Sequence, residues 1–430
     1  MIRERLGSRM GKDVVWTFTM QTAIMLCAFV ITKLLSNRLS IDDFGQYNVI
    51  KRSVQVISFV MLAGVGIALP RYIPLYRNAV PTRRIGPLLM ASLVYIAGVS
   101  LVVVLGCLLF APQVRTLIIG PSGSTPLLLI VLVYAFTVAM AQYAYAYYRG
   151  IGDFRWYNGA HLAVHLAMIV PLVLLPVLTT TGVFVAWLVV TALLVAFYLG
   201  RELAQNWPLC PREHLLRQAP FRGALREIVK YSSGRLLADF FLFSLSAFPL
   251  IYISQRHGLQ PTAYYSVGVT FVTMVTPLFS FMGIILLPYV SECIAKGELK
   301  TAGRFINRLL MLYVAAALLI TVALGLFTGF FTSLFFADSY LGTTALSRIM
   351  ILAILPQTLY LLYRNPIDAV AVVPYNTIIL GLCLVTMVIG FRLATTLTQL
   401  AWAYTAVSIL QGLLSWLTWQ MVKRKQCDAQ

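Results

Sequence analysis

Along this chain, runs of mostly apolar residues long enough to form a membrane-crossing helix return from one end to the other, with short polar segments between them. A helix needs about 20 such residues to cross roughly 30 Å of hydrocarbon, where only helices and closed barrels satisfy their own backbone groups. The runs read as spans at 14–35, 46–69, 86–111, 126–148, 158–178, 182–200, 231–254, 263–289, 309–336, 346–363, 373–391 and 397–422. The fold expected is therefore all-α, a polytopic membrane protein with about 12 transmembrane helices. Composition agrees: of 430 residues 60% are hydrophobic and 11% charged, too few charges to coat a soluble domain of this length, so a soluble globular enzyme is excluded. The formal net charge of +19 does not mark a nucleic-acid binder, because the basic residues stand between apolar runs and not on a basic domain.

Their distribution predicts orientation, since Lys and Arg collect in cytoplasmic loops. With the N-terminus cytoplasmic, 24 of the 33 Lys and Arg fall on that side, six opposite, and Lys51, Arg52 and Arg235 inside spans. Both termini are thus expected in the cytoplasm of a cell whose inner membrane holds the chain. The first span is too long for a signal-peptide core and no small-residue cleavage pattern precedes Lys33, so it is expected to stay. Cys27, Cys107 and Cys383 fall in spans and Cys210, Cys293 and Cys427 on the cytoplasmic side, so six free thiols are expected and no zinc spacing occurs. Gly11-Lys12 is followed by Asp13, which breaks the phosphate-loop pattern. Neither a cofactor nor a resident metal is expected.

Two halves are legible. Residues 1–200 and 231–430 each hold six spans, joined by 201–230, a basic segment with interspersed Leu, Phe and Ile that reads as an amphipathic cytoplasmic linker. Lys12 and Lys230, Tyr47-x-Val49 and Tyr265-x-Val267, and Pro70 and Pro288 are each 218 residues apart. Arg149-x-x-x-Asp153 with Tyr157-Asn158 is echoed by Arg364-x-x-x-Asp368 with Tyr375-Asn376. These pairs predict a parallel repeat with a substrate path between lobes.

Ionisable groups in hydrocarbon cost several kcal/mol unless they meet a wet cavity or a partner, so each is a candidate for function. In the second span Asn48, Lys51, Arg52, Gln55 and Ser58 share one helical face; in the seventh Ser232, Arg235, Asp239 and Ser246 do, with Arg235 and Asp239 spaced to pair. Gln21 adds a polar group in the first span. Two readings stand for each group: a structural ion pair or snorkelling side chains on one hand, and on the other a positive cavity that attracts an anion. His161 and His165 have a spacing that can hold metal, but no acid accompanies them. Tyr143, Tyr145, Tyr147, Tyr148, Trp156 and Tyr157 read as an interfacial aromatic belt.

Three stretches, Asn37-Arg38-Leu39-Ser40-Ile41-Asp42-Asp43-Phe44-Gly45-Gln46-Tyr47, Ala63-Gly64-Val65-Gly66-Ile67-Ala68-Leu69-Pro70-Arg71-Tyr72-Ile73 and Tyr148-Arg149-Gly150-Ile151-Gly152-Asp153-Phe154-Arg155, together with Ala263-Tyr264-Tyr265-Ser266-Val267 and Leu286-Leu287-Pro288-Tyr289-Val290-Ser291, resemble the polysaccharide flippases. Their superfamily also holds multidrug extruders and the lipid II flippase. The resemblance implies two lobes of six helices, alternating access, and outward movement of an undecaprenyl-pyrophosphate-linked oligosaccharide, with Arg52 and Arg235 serving the anionic headgroup. Lys51, Asp239, Gln55 and Gln21 complete the expected cavity set. The partners implied are membrane lipids, a polysaccharide polymerase and glycosyltransferases, and no nucleic acid. A cation-coupled drug exporter using Asp239, and an integral-membrane saccharide polymerase or ligase, are the alternatives; short external loops weigh against an enzyme.

Overall fold

The computed structural model describes residues 9–77, 85–120, 123–206, 219–280, 299–371 and 373–428, with 286, 290 and 293. Among the described residues the secondary structure is helical and no strand occurs. Eleven helices are long and apolar enough to cross a membrane, or twelve when one bent pair counts as a single span. The chain divides into two compact units, Met1–Phe243 and Ser244–Gln430.

The first unit begins with α1 (Arg9–Arg38), α2 (Ile41–Leu62) and α3 (Val65–Arg77). The α2 start is written in its sequence: the Ser40 side chain accepts from Asp43 N at 3.1 Å, and Asp42 and Asp43 lie in the first turn, where the helix dipole favours acids. α2 stops on Ala63 and Gly64, both left-handed at φ 50° and 76°, and α3 restarts at once. There follow α4 (Gly86–Leu109), α5 (Ala111–Ile119), α6 (Thr125–Gly150), α7 (Phe154–Leu174) and α8 (Thr180–Asn206). Asp153 caps α7 by accepting from Trp156 N, and Arg38 closes its other end by donating to the carbonyls of Leu172, Leu175 and Pro176. Tyr47, Tyr134, Phe184 and Trp187 pack as an aromatic core between α2, α6 and α8.

α9 (Ala219–Arg256) runs through the 201–230 segment's end and on across the unit boundary. Residues 201–206 continue α8, while 207–218 lie outside the described residues. The second unit continues with α10 (Leu259–Ser280), α11 (Leu299–Leu326), α12 (Thr328–Phe335), a 3₁₀ turn at Asp338–Thr343, α13 (Thr344–Ile351), α14 (Ile354–Val370), α15 (Tyr375–Leu393) and α16 (Leu397–Asp428).

Some of the 218-residue spacings fall on comparable elements. α2 and α10 are both 22 residues long and start 218 apart. Tyr47 and Tyr265 are buried at matching places, each in a ring cluster. Asn158 and Asn376, also 218 apart, are buried near the starts of α7 and α15.

The second, ninth and tenth spans depart from their continuous sequence reading: the second breaks at Ala63 and Gly64 and the ninth at Phe327. The tenth, expected as continuous over 346–363, is broken between α13 and α14 with a bend of 44°. Pro356 explains it, because its ring clashes with the carbonyl four residues back and it has no N–H to offer there. The chain responds with tighter bonds, Leu352 N to Ile349 O and Ala353 N to Met350 O.

Candidate functional site

Lys51 lies ten residues past the start of α2, or about 15 Å along the axis, close to mid-bilayer. Asn48 and Ser58, two neutral members of its stripe, turn back onto their own helix, donating to Phe44 O and Gln55 O. Arg52 Nη1 donates to Gln55 Oε1 at 3.2 Å, and Arg52 has a further partner. Lys51 has its Nζ over the Tyr47 ring, 5.7 Å from the centroid, and no hydrogen bond or ion pair joins it to an acid among the described residues. The two cations are neighbours whose charges act on each other. A half-buried ammonium beside a guanidinium leaves net positive charge in a region where charge is expensive unless an anion arrives.

α7 brings the next groups. His165 lies eleven residues past Phe154, roughly 16 Å along the helix, a depth comparable with that of Lys51. Its Nδ1 is 2.9 Å from His161 O; a carbonyl only accepts, so Nδ1 carries the proton and donates. The two imidazoles stand 5.0 Å apart, and His161 packs on Tyr145 at 4.9 Å. Among the described residues no group of three or more His, Cys, Asp or Glu could hold a metal.

The other residues expected at the site are placed as follows. Gln55 is joined to Arg52, and Gln21 is half-buried on α1. Asp239 on α9 is buried and has a partner. Arg235 is within α9, with its side chain outside the described residues. Ser232, on the Asp239 face, packs so tightly on Gly64 that a methyl there would sit 2.9 Å from its Cβ.

The aromatic belt is corrected. Tyr143, Tyr145, Tyr147 and Tyr148 are at most 6% exposed, inside the first unit and not on its lipid face. Tyr143 donates to Glu202 Oε1 at 2.6 Å, Tyr148 stacks on Trp156, and the Arg201 guanidinium lies 3.8 Å from the Trp156 ring centre. Glu202, 1% exposed, was missed because sequence placed it at the junction of a span with a polar linker. Its signal is the i, i+4 pair Tyr143 and Tyr147 on α6, one polar face of a long apolar helix.

Arg149 and Asp153 prove structural: Arg149 Nη2 donates to Gly66 O at 2.7 Å, and Asp153 is the α7 cap. In the second half Asp368 Oδ1 accepts from Asn376 Nδ2 at 2.7 Å, and Arg364 O accepts from the same amide. Four cysteines, Cys27, Cys107, Cys293 and Cys383, are free thiols. Cys210 lies outside the described residues, as does the side chain of Cys427.

A family model described as polysaccharide biosynthesis protein matches residues 10–294, more than half of the chain. The chain belongs to that family. Among solved structures it is similar to the lipid II flippase MurJ in an inward closed conformation, at a TM-score of 0.69 and 13% identity, with 96% of this chain and 89% of that one covered. A mutant of the Vibrio cholerae MATE transporter VcmN gives 0.65 at 15% identity, with 96% and 98% covered. A MOP superfamily transporter from Pyrococcus furiosus, described as having a binding pocket of reverse polarity, gives 0.64 at 13%, with 96% and 94% covered. No curated protein matches the chain. These likenesses show that the family member described here has the fold of MOP superfamily transporters.

Proposed function

We propose that this chain is an alternating-access flippase that moves an undecaprenyl-pyrophosphate-linked oligosaccharide from the cytoplasmic to the outer leaflet of the inner membrane, for polysaccharide biosynthesis. The observation that carries this is the Lys51 and Arg52 pair: two adjacent cations at membrane depth, one of them with no acid against it among the described residues. Such a pair fits a compact dianion better than a cationic drug. Membership of a polysaccharide biosynthesis family supports the saccharide cargo. Arg235 extends the same site, and Gln55 and Gln21 supply neutral hydrogen bonds to it; Asp239 tunes it.

Outward passage needs no nucleotide. A pyrophosphate with two negative charges leaving a cell that is negative inside gains about 2.3 kcal/mol per charge per 100 mV. Both termini lie in the cytoplasm in this reading, where glycosyltransferases build the cargo, and a polymerase takes it up outside.

The buried carboxyl of Asp239 favours one second reading, export of cations coupled to a proton or sodium. The experiment that separates them replaces Arg52 or Arg235 by Ala in the cell. The flippase reading expects polysaccharide export to stop with the protein still in the membrane and drug resistance unchanged. Normal export in both variants refutes it.

A further inference from the structure

We propose that Arg201 is a phosphate-binding site at the cytoplasmic membrane surface: its guanidinium, set over the Trp156 ring, takes the phosphate of a lipid headgroup through its Nε and Nη donors. The site is separate from Lys51 and Arg52, and the inference holds whether or not those two hold cargo. It uses the orientation proposed above, with both termini in the cytoplasm.

The partners of this guanidinium set its chemistry. Its Cζ lies 3.8 Å from the Trp156 ring centre, and the side chain is half-buried. Nε is buried and has no hydrogen-bond partner, and no ion pair joins Arg201 to an acid among the described residues. A buried N–H that meets no acceptor is expensive. Stacking on an aromatic ring fixes the plane of a guanidinium and uses its face, not its edge. The Nε and Nη donors along that edge match two oxygens of one phosphate.

The ring beneath Arg201 is itself held. Trp156 of α7 stacks on Tyr148 of α6 with ring centres 6.0 Å apart, and meets Tyr198 of α8 edge-on at 6.3 Å. Tyr148 and Tyr198 also meet edge to face, at 6.2 Å. Three helices therefore supply one rigid platform. Tyr148 Oη is a second buried polar atom of this cluster with no hydrogen-bond partner. The acids on these helices are engaged: Glu202 accepts from Tyr143 at 2.6 Å, and Asp153 caps α7 by accepting from Trp156 N at 3.2 Å. Arg155, beside Trp156 in sequence, is exposed and adds positive charge.

Depth selects the ligand. Arg201 lies 21 residues past Thr180, the start of α8, or about 32 Å along the axis. With Thr180 at the outer edge of about 30 Å of hydrocarbon, Arg201 reaches the opposite edge, where lipid phosphates stand. Two lipids offer that chemistry there, an ordinary anionic phospholipid and an undecaprenyl-pyrophosphate carrier.

The test uses the full chain in detergent, with native mass spectrometry reading its affinity for dioleoyl phosphatidylglycerol, for undecaprenyl pyrophosphate and for dioleoylglycerol, which has no phosphate. Each measurement is repeated with Lys51 and Arg52 both replaced by Met, so that the second cation pair does not mask a loss. Arg201→Met is expected to weaken binding of at least one phosphate lipid by about tenfold or more and to leave dioleoylglycerol unchanged. Arg201→Lys, which keeps the charge and loses the fork, is expected to recover only part of that affinity. Arg155→Met removes a neighbouring exposed charge and is expected to change affinity by less than about twofold. Equal affinity of wild type and Arg201→Met for both phosphate lipids overturns the site, and so does an equal loss in Arg201→Met and Arg155→Met, which is the mark of surface charge alone. If Arg201→Met fails to fold, Arg201→Lys decides, and wild-type affinity in that variant overturns the fork. Where the site is upheld, the lipid whose binding Arg201→Met weakens more is its occupant.

Discussion

Pro70 has no N–H for the carbonyl of Gly66, and Arg149 supplies one from another helix, across 2.7 Å. Because Arg149 is exposed, water can replace it, and Arg149→Leu is expected to cost only about 0.5–1.5 kcal/mol. The check is the melting temperature in detergent, with Arg149→Lys recovering part of the loss; an unchanged leucine variant would show the bond to be idle. Gly64 is a harsher case. It combines φ 76° with a built Cβ 3.1 Å from the Ser232 backbone, so Gly64→Ala should lower stability by more than the arginine change, by about 1–3 kcal/mol. At this scale sequence was legible as chemistry but not as partnership. Lys51 and Arg52 stood out as charges in an apolar run, and the structure adds the ring of Tyr47 and the amide of Gln55. The motif Tyr148-Arg149-Gly150 was legible only as a family likeness, since its physical reason is a proline on a different helix, and no local spacing rule links the two.

Helices were found by hydropathy and misjudged where hydropathy is blind. A window that averages over a span registers its length in lipid, not a bend inside it, which is why the break before Pro356 escaped while the span itself did not. The aromatic residues of α6 failed for a related reason: ring composition at a helix end suits a headgroup belt, but these rings face inward, where Tyr143 meets Glu202. Close helix approach is also an element property. At Gly412 on α16 a Cβ would fall 2.6 Å from Pro356 O of α14, whereas at Gly98 on α4 it would meet nothing within 4 Å. Gly412→Ala is therefore expected to separate α14 from α16 and reduce folded protein in the membrane. Gly98→Ala should be neutral or stabilising by up to about 1 kcal/mol. Detergent-resistant yield of the two variants decides it, and equal yields would contradict the packing described.

As a whole molecule the chain follows its sequence in its spans: recurring apolar runs give membrane-length helices, and one pair, α2 and α10, starts 218 residues apart with equal length. The charge excess belongs to this scale too. If the cargo leaves as a dianion, an imposed inside-negative potential should speed transport in proteoliposomes and an inside-positive one slow it, with about 2.3 kcal/mol per charge per 100 mV as the driving term; a rate indifferent to potential would show that charge is compensated in transit. The central claim is that Lys51 and Arg52 hold the anionic headgroup. Its most direct test is the flipping of a fluorescent undecaprenyl-pyrophosphate-linked saccharide in proteoliposomes holding wild type, Lys51→Met with Arg52→Met, or Gly98→Ala. Flipping by wild type and Gly98→Ala, with loss of at least about tenfold in the double variant, is the result predicted from one charged hydrogen bond or more being removed. Equal flipping by all three would contradict it.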